Sequence, residues 1–315
     1  MTIFVTGGLG FIGSNFVFRY LQAHASDTVV ILDNYSYAAN TRNIYGLYED
    51  YRVKIERVDI CNLNRMKQLY EEYQPSKTFH FAAESHVDNS INGDDEFLQT
   101  NILGTHVILK CIRKFGGRLI HVSTDEVYGS LSITANSFTE KTPYNPRNPY
   151  SATKAASDHL VRAYVNTHGI DAIVTNCSNN YGPRQHYEKF IPTAIRHIKE
   201  NKPVPVYGKG ENIRDWLYVD DHCDALITIG DKGKTGERYN IGGGYECSNI
   251  EMVTMILDVM GKPVHMYQDW IKFVDDRKGH DLRYSIDSGK LELELGWLPK
   301  TKIQDGLIKT LEWYS

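Results

Sequence analysis

The first half of the chain alternates two textures. Short apolar runs rich in Val, Ile and Phe occur at 2–6 (TIFVT), 28–33 (TVVILD), 53–59 (VKIERVD), 78–83 (TFHFAA), 118–123 (RLIHVS) and 172–177 (AIVTNC). Most are continuous in apolar character rather than alternating, which is the pattern of strands buried on both faces. Between them lie segments with helical spacing. In 62–73 (NLNRMKQLYEEY), for example, Leu63, Met66, Leu69, Tyr70 and Tyr73 share one face. Strand, helix and strand repeated in this way predict right-handed crossovers and an α/β fold built on a doubly wound parallel sheet. From about residue 180 Pro and Gly become denser (NKPVPVYGKGEN, NIGGGYE) and the strand-like runs shorten. The expected division is a first domain over 1–180 and a smaller mixed α/β domain over 181–315, with some later segments returning to the first.

Composition narrows the class. The 315 residues are 41% hydrophobic, enough for a sizeable core, and the formal net charge is −4 without any long basic run. That balance speaks against general nucleic-acid binding and against a polybasic membrane anchor. No apolar segment approaches the ~18 to 20 residues that span a bilayer. The five cysteines, Cys61, Cys111, Cys177, Cys223 and Cys247, are odd in number and contain no C-x-x-C pair, so neither a metal site nor a disulfide framework is expected. A reducing compartment fits this usage, and the chain opens on a strand-like run rather than a signal-peptide pattern. A cytoplasmic protein is the expectation.

Candidate chemistry begins right after the first run. TGGLGFIGSN carries Gly7, Gly10 and Gly13 at the spacing of a dinucleotide-binding turn. Glycines there let the backbone approach a pyrophosphate at the positive end of the following helix. Asp33, twenty residues beyond Gly13 at the end of the second run, would accept hydrogen bonds from ribose hydroxyls and repel a 2′-phosphate, which favours NAD over NADP. Asp59 ends the third run; it reaches an adenine edge or is an ordinary strand-ending acid. In YSATK, Tyr150 and Lys154 stand four residues apart on one helix face. A neighbouring ammonium and the positive nicotinamide ring favour the phenolate of Tyr150. With Thr124, the pair forms an apparatus for taking a proton from a secondary alcohol while NAD⁺ takes the hydride. Directly after Thr124 come two acids, Asp125 and Glu126, which neither a plain dehydrogenase nor a 4-epimerase requires.

The motifs TGGLGFIGSNF, HFAAESHVDNSI, STDEVYG, YSATKAASD, TNCSNNYGPRQHYEKFIP, GKGENIRDWLYVDDH, YNIGGG and DRKGHDLRY run in order almost end to end. With them the chain resembles the extended short-chain dehydrogenase/reductases, whose core is a Rossmann sheet, and within these the nucleotide-sugar 4,6-dehydratases. The resemblance implies that Glu126 removes the C5 proton of a C4-oxidised sugar and that Asp125 protonates the departing C6 hydroxyl. It places Phe11, Ile12, Ile60 and Ala82 with the glycines against NAD. It assigns Ser85, His86 and Asn180 to the sugar or neighbouring phosphate. Arg214, Arg277 and His280, with Glu188, Lys189 and Asn249, are its candidates for the nucleotide diphosphate. Arg184 and Gln185 depart from the family pattern, at a place where the nucleotide base is expected. The favoured substrate is dTDP-glucose, with UDP-glucose the alternative. A UDP-sugar 4-epimerase or decarboxylase and a catalytically silent binding protein of the same fold are the rival readings. The resemblance further implies a homodimer packed through the helices after Asn101 and Tyr150, where Ile102, Leu103, Val107, Ile108 and Leu109 supply apolar surface.

Overall fold

A computed structural model describes residues 1–276 and 279–315, so the expected site residue Arg277 lies outside the described residues. The strands, in chain order, are β1 (Thr2–Thr6), β2 (Thr28–Asp33), β3 (Val53–Arg57), β4 (Lys77–His80), β5 (Arg118–Thr124), β6 (Ala172–Cys177), β7 (Asn179–Tyr181), β8 (Val204–Tyr207), β9 (Ile213–Tyr218), β10 (Arg238–Ile241), β11 (Glu246–Ser248) and β12 (Ile271–Val274). Seven of them form one sheet in the order β10-β6-β5-β4-β1-β2-β3, and every pairing in it is parallel. The doubly wound parallel sheet read from the sequence is therefore present. Two smaller sheets, β11-β9-β7 and β12-β8, lie in the later part of the chain.

The apolar runs are continuous because both faces of the sheet are covered. On one face Ile3, Val5, Val29, Ile31 and Ile120 enter one core; on the other Phe4, Val30, Leu32 and Leu119 enter a second. Successive strand residues point to opposite faces, so the central runs are buried at nearly every position, whereas the edge strand β3 leaves Lys54 and Arg57 exposed. Full burial of each such side chain is worth about 1.5–3 kcal/mol, which makes a one-residue slip in register expensive at once on both faces. The fourth run ends sooner than its apolar character suggests. β4 stops at His80, and residues 81–85 leave the sheet to line a cleft.

Residues after 181 divide between two cores. Tyr181, Ile195, Trp216, Met252, Ile256 and Leu307 pack with one another in a separate cluster. Cys223, Leu226, Tyr239, Ile241, Leu291 and Trp297 join the first core instead, and β10 pairs with β6 at the edge of the large sheet. Winding reverses between β1 and β4: the chain proceeds from β1 to β2 and β3 on one side and places β4, β5 and β6 on the other. In open α/β sheets the crevice beyond the strand ends at such a reversal is where ligands bind.

Candidate active site

At the end of β1 the chain turns through Gly7, which has φ +68°, and a Cβ there would lie 2.8 Å from the Ala82 nitrogen. A Cβ on Gly13 would lie 2.3 Å from the Gly7 carbonyl oxygen, closer than any side chain tolerates. The helix Phe11–Ala23 starts at Gly10, whose position carries no side-chain cap. Its first N–H groups thus point into the cleft and suit an anion. Asp33, at the end of β2, is 6% exposed and faces the same space; its carboxylate accepts from the Leu9 nitrogen (3.0 Å) and the Tyr35 nitrogen (2.9 Å). Burial raises its pKa above the ordinary carboxylate value while these two backbone bonds work the other way. Phe11, Ile12, Ile60 and Ala82 line the same cleft. Asp59 does not; it is exposed, and its Oδ1 accepts from the Cys61 nitrogen at 2.8 Å. The turn geometry that ends β3 thus occupies this carboxylate.

The acid pair follows from how β5 ends. Thr124 is the last extended residue, and its hydroxyl accepts from the Glu126 nitrogen at 3.2 Å, which starts a short 3₁₀ turn over Asp125–Tyr128. On a continuing strand the two acids would face opposite ways; in the turn both line the cleft. The helix Pro149–His168 stands beside them. Asn148 caps it and forms a capping box with Ser151, and Pro149 occupies the first turn without losing a needed donor. Asn148 also donates from Nδ2 to Glu126 Oε2 at 3.3 Å, so the helix cap and the acid are tied together. In its first turn Tyr150 faces the Thr124 hydroxyl, and one turn further on Lys154 donates from Nζ to the Val122 carbonyl at 2.8 Å.

Electrostatics separates these groups. Asp125 is 2% exposed and its Oδ2 has no hydrogen-bond partner among the described residues. Burial, then the charges of Glu126 and Asp215, hold its carboxyl well above the ordinary range. Glu126 is raised as well, mainly by burial, but the Asn148 hydrogen bond and the charges of Arg214 and Lys189 pull it back. Asp215 itself is pushed by burial up to about 6, although the Tyr245 and Gly243 nitrogens donate to it at 3.1 Å each. Tyr150 lies well above its ordinary value, through burial first and the Glu126 charge second. Lys154 is lowered by burial. The protein alone therefore keeps the phenol protonated, with the Thr124 hydrogen bond, rather than the expected Lys154, opposing burial.

Beyond Glu126 the cleft continues into a second chamber. Ser85, His86, Asn180, Glu188, Lys189, Arg214, Asn249 and His280 line it, so the expected substrate residues among the described residues converge on one space. Asp281 and Tyr284 line it too and were not read from the sequence. Nothing in a lone Tyr among 21 distinguishes it; here Tyr284 donates to Asp281 Oδ2 at 2.5 Å and packs its ring 4.3 Å from the Arg214 guanidinium. The departures from the family pattern part company. Gln185 lines both chambers and donates from Nε2 to the Asn180 carbonyl. Arg184 turns away with φ +69°, donating to the Asn43 carbonyl (2.9 Å) and Asn15 Oδ1 (2.6 Å) between the rings of Phe18 and Trp313. It ties the helix Phe11–Ala23 to the terminal helix Ile303–Trp313 rather than lining either chamber.

Comparison with known proteins agrees with this geometry. The family described as GDP-mannose 4,6 dehydratase matches residues 4–310. A dTDP-glucose 4,6-dehydratase of Haemophilus influenzae is 46% identical, over 100% of this chain and 98% of its own, and one of Salmonella typhimurium is 47% identical, over 100% and 92%. A dTDP-glucose 4,6-dehydratase from Streptomyces venezuelae, solved with NAD and TYD bound, superposes with a TM-score of 0.94 at 44% identity, covering 100% of this chain and 97% of its own. A UDP-glucose 4-epimerase from Thermotoga maritima superposes nearly as well (TM-score 0.91) at 27% identity, covering 100% and 98%, so the fold by itself does not choose the chemistry. With the family model spanning almost the whole sequence and relatives close to half identical end to end, the chain belongs to the GDP-mannose 4,6 dehydratase family, the nucleotide-sugar 4,6-dehydratases of the extended short-chain dehydrogenase/reductases.

Proposed function

We propose that the chain dehydrates dTDP-glucose to the 4-keto-6-deoxy sugar with NAD as its resident cofactor. The observation that carries this reading is the placement of Asp125 and Glu126, side by side in one cleft, beside Tyr150 and Lys154. The residues present fit the cofactor: a cradle that a Cβ would fill at Gly13, N–H groups without a side-chain cap at the start of the helix Phe11–Ala23 and a carboxylate at Asp33. When bound, NAD supplies an acceptor for the C4 hydride, returns that hydride to C6, and through its positive ring favours the Tyr150 phenolate.

The protein's own groups perform the proton work. Tyr150, hydrogen-bonded to Thr124, takes the proton of the C4 hydroxyl, with the Lys154 cation behind it. Once C4 is a ketone the C5 proton is acidic. Glu126, whose carboxylate is supported by Asn148, Arg214 and Lys189, is the base that removes it. Asp125, held well above the ordinary carboxylate range, keeps its proton at neutral pH and delivers it to the leaving C6 hydroxyl. Two acids whose environments push their titrations apart fill the two roles. A 4-epimerase has no use for either acid. The buried Arg214 and, in the second chamber, Lys189 and His280 are the cationic groups that suit a nucleoside diphosphate.

Among the described residues no helix is long and apolar enough to cross a membrane, and the five cysteines are free, which supports a cytoplasmic protein. For the homodimer, Val107, Ile108 and Leu109 are buried in the chain's own core, whereas Leu98 and Leu103 are 44% and 46% exposed. The inferred contact therefore runs through the outer side of this helical segment. The test of the activity is incubation of purified protein with dTDP-, UDP- and CDP-glucose separately, reading the absorbance of the 4-keto product in alkali. Turnover of dTDP-glucose in preference to the others is expected; turnover of none would overturn the reading.

A further inference from the structure

Beneath the catalytic helix lies a buried polar cluster that the reaction as described leaves unused. Asp158 is 2% exposed and sits one turn beyond Lys154 on the same helix face. Its Oδ2 accepts from the Tyr144 hydroxyl (2.6 Å) and from Asn176 Nδ2 (3.2 Å); that amide also donates to the Thr124 carbonyl (3.0 Å), at the point where the Asp125–Glu126 turn departs. Its Oδ1 lies 3.2 Å from His121 Nε2. His121 is fully buried, its Nε2 also meets Ser157 Oγ (3.1 Å), and its Nδ1 has no hydrogen-bond partner among the described residues. Ser157 already donates to the Lys154 carbonyl (2.8 Å), so its oxygen accepts from His121, which fixes the Nε2–H tautomer and leaves Nδ1 a bare acceptor. His121 is thus neutral, and its neighbour His80, buried between the Thr6 and Thr105 hydroxyls, adds no charge. Of the groups around the Lys154 ammonium, the helix supplies Asp158 and Tyr150, β5 supplies His121, β4 supplies His80, and the end of β6 supplies Cys177. Asp158 alone among these is an anion at neutral pH.

We propose that Asp158 is a positioning residue, the buried counter-charge that keeps Lys154 protonated beneath Tyr150. An ammonium taken out of water and bonded only to a neutral carbonyl tends to lose its proton; a carboxylate one turn away opposes that loss. Burial works against the Asp158 anion, and its Oδ1 makes no hydrogen bond among the described residues, but the 3.2 Å approach of His121, the Lys154 charge and the Tyr144 hydrogen bond together hold it below the ordinary range. The inference rests on the reading of Lys154 as partner of the catalytic Tyr150, and not on which nucleotide sugar is the substrate.

The test follows the 13Cε NMR shift of Lys154 with pH in the full-length protein, assigned by its loss in Lys154→Met. In Asp158→Asn the Lys154 transition is expected to fall by at least about one pH unit, and the alkaline limb of product formation should move down with it. Asp158→Glu should restore most of the shift. Tyr144→Phe removes one hydrogen bond from the same carboxylate but keeps its charge, so it should lower the melting temperature and leave the Lys154 transition in place. An unmoved transition in Asp158→Asn, or an equal shift in Tyr144→Phe, would reduce Asp158 to a structural role. Wild-type protein with Lys154 neutral at neutral pH would overturn the proposal without any variant, and Lys154 titrating as proposed in a protein that turns over no dTDP-glucose would refute the substrate alone.

Discussion

Replacing Asp125 by Asn should make the folded protein more stable at neutral pH while removing its ability to eliminate water. In the folded state the Asp125 carboxyl is buried, has an oxygen without a partner, and is held well above the ordinary carboxylate range by burial and by Glu126 and Asp215. In the unfolded chain it ionises near ~3.9. Between those two points the folded protein carries one proton more than the unfolded chain. Its stability therefore falls by about 1.4 kcal/mol for each pH unit, from this group alone. The contribution is complete below the unfolded value and is lost as pH rises through the folded one. Asp125→Asn keeps the shape and does not titrate. The Thr124 hydroxyl, which donates to Asp125 Oδ1 at 3.3 Å, finds an equivalent acceptor. The advantage of the variant should thus be near zero at about pH 4 and reach about 3 kcal/mol over two pH units, or roughly 4–5 °C in melting temperature for a chain of this size. Glu126 is raised in the same sense but is present in both proteins, so it cancels, its repulsion of the Asp125 anion being already part of that carboxyl's raised value. Urea and thermal unfolding from about pH 4 to about pH 8, at equal cofactor saturation, measure the difference. An advantage that does not grow with pH, or a variant less stable than wild type at about pH 8, would refute the assignment of Asp125 as a protonated acid.

Gly13→Ala places a methyl group 2.3 Å from the Gly7 carbonyl oxygen, against backbone that cannot yield. Affinity for NAD, read by calorimetry or by quenching of tryptophan fluorescence, should fall by at least about tenfold, corresponding to an overpacking cost of about 1–3 kcal/mol. Arg184→Ala removes two hydrogen bonds and two ring contacts and should lose about 2–4 kcal/mol in urea unfolding. Arg184→Gly should lose less, because it relieves the left-handed backbone at φ +69°. The KM for dTDP-glucose should not move in either variant, since this side chain faces the terminal helix.

Much of the large sheet was legible because its central strands are covered on both faces, which forces Ile3 to Val5 and Val29 to Leu32 to be apolar at every position. The site was legible where chemistry demands residue types in close sequence, as in the glycine turn and in Tyr150 with Lys154. It was less legible where the third dimension assembles it. Tyr284 and Asp281 reach the second chamber from more than 120 residues beyond Tyr150, with no local signature. β7, β8, β11 and β12 are three or four residues each and are held by neighbours far along the chain, so no periodicity announces them. Asp59 and Arg184 mark the opposite limit. Each stands at a position where a contact was plausible from sequence, and each is committed elsewhere, one to a turn nitrogen and the other to a helix-to-helix tie. The expected lowering of Tyr150 by Lys154 is not what the protein alone shows: burial and the Glu126 charge raise the phenol, and the Thr124 hydrogen bond opposes them.

The central claim is that oxidation and elimination are separate steps, with Glu126 needed only for the second. Mixing Glu126→Gln with dTDP-glucose and NAD, in a single turnover, should give a rise in reduced-nicotinamide absorbance that persists while the 4-keto-6-deoxy product, followed by mass spectrometry, accumulates at least about a hundredfold more slowly than in wild type. Product formed at the wild-type rate would contradict the account.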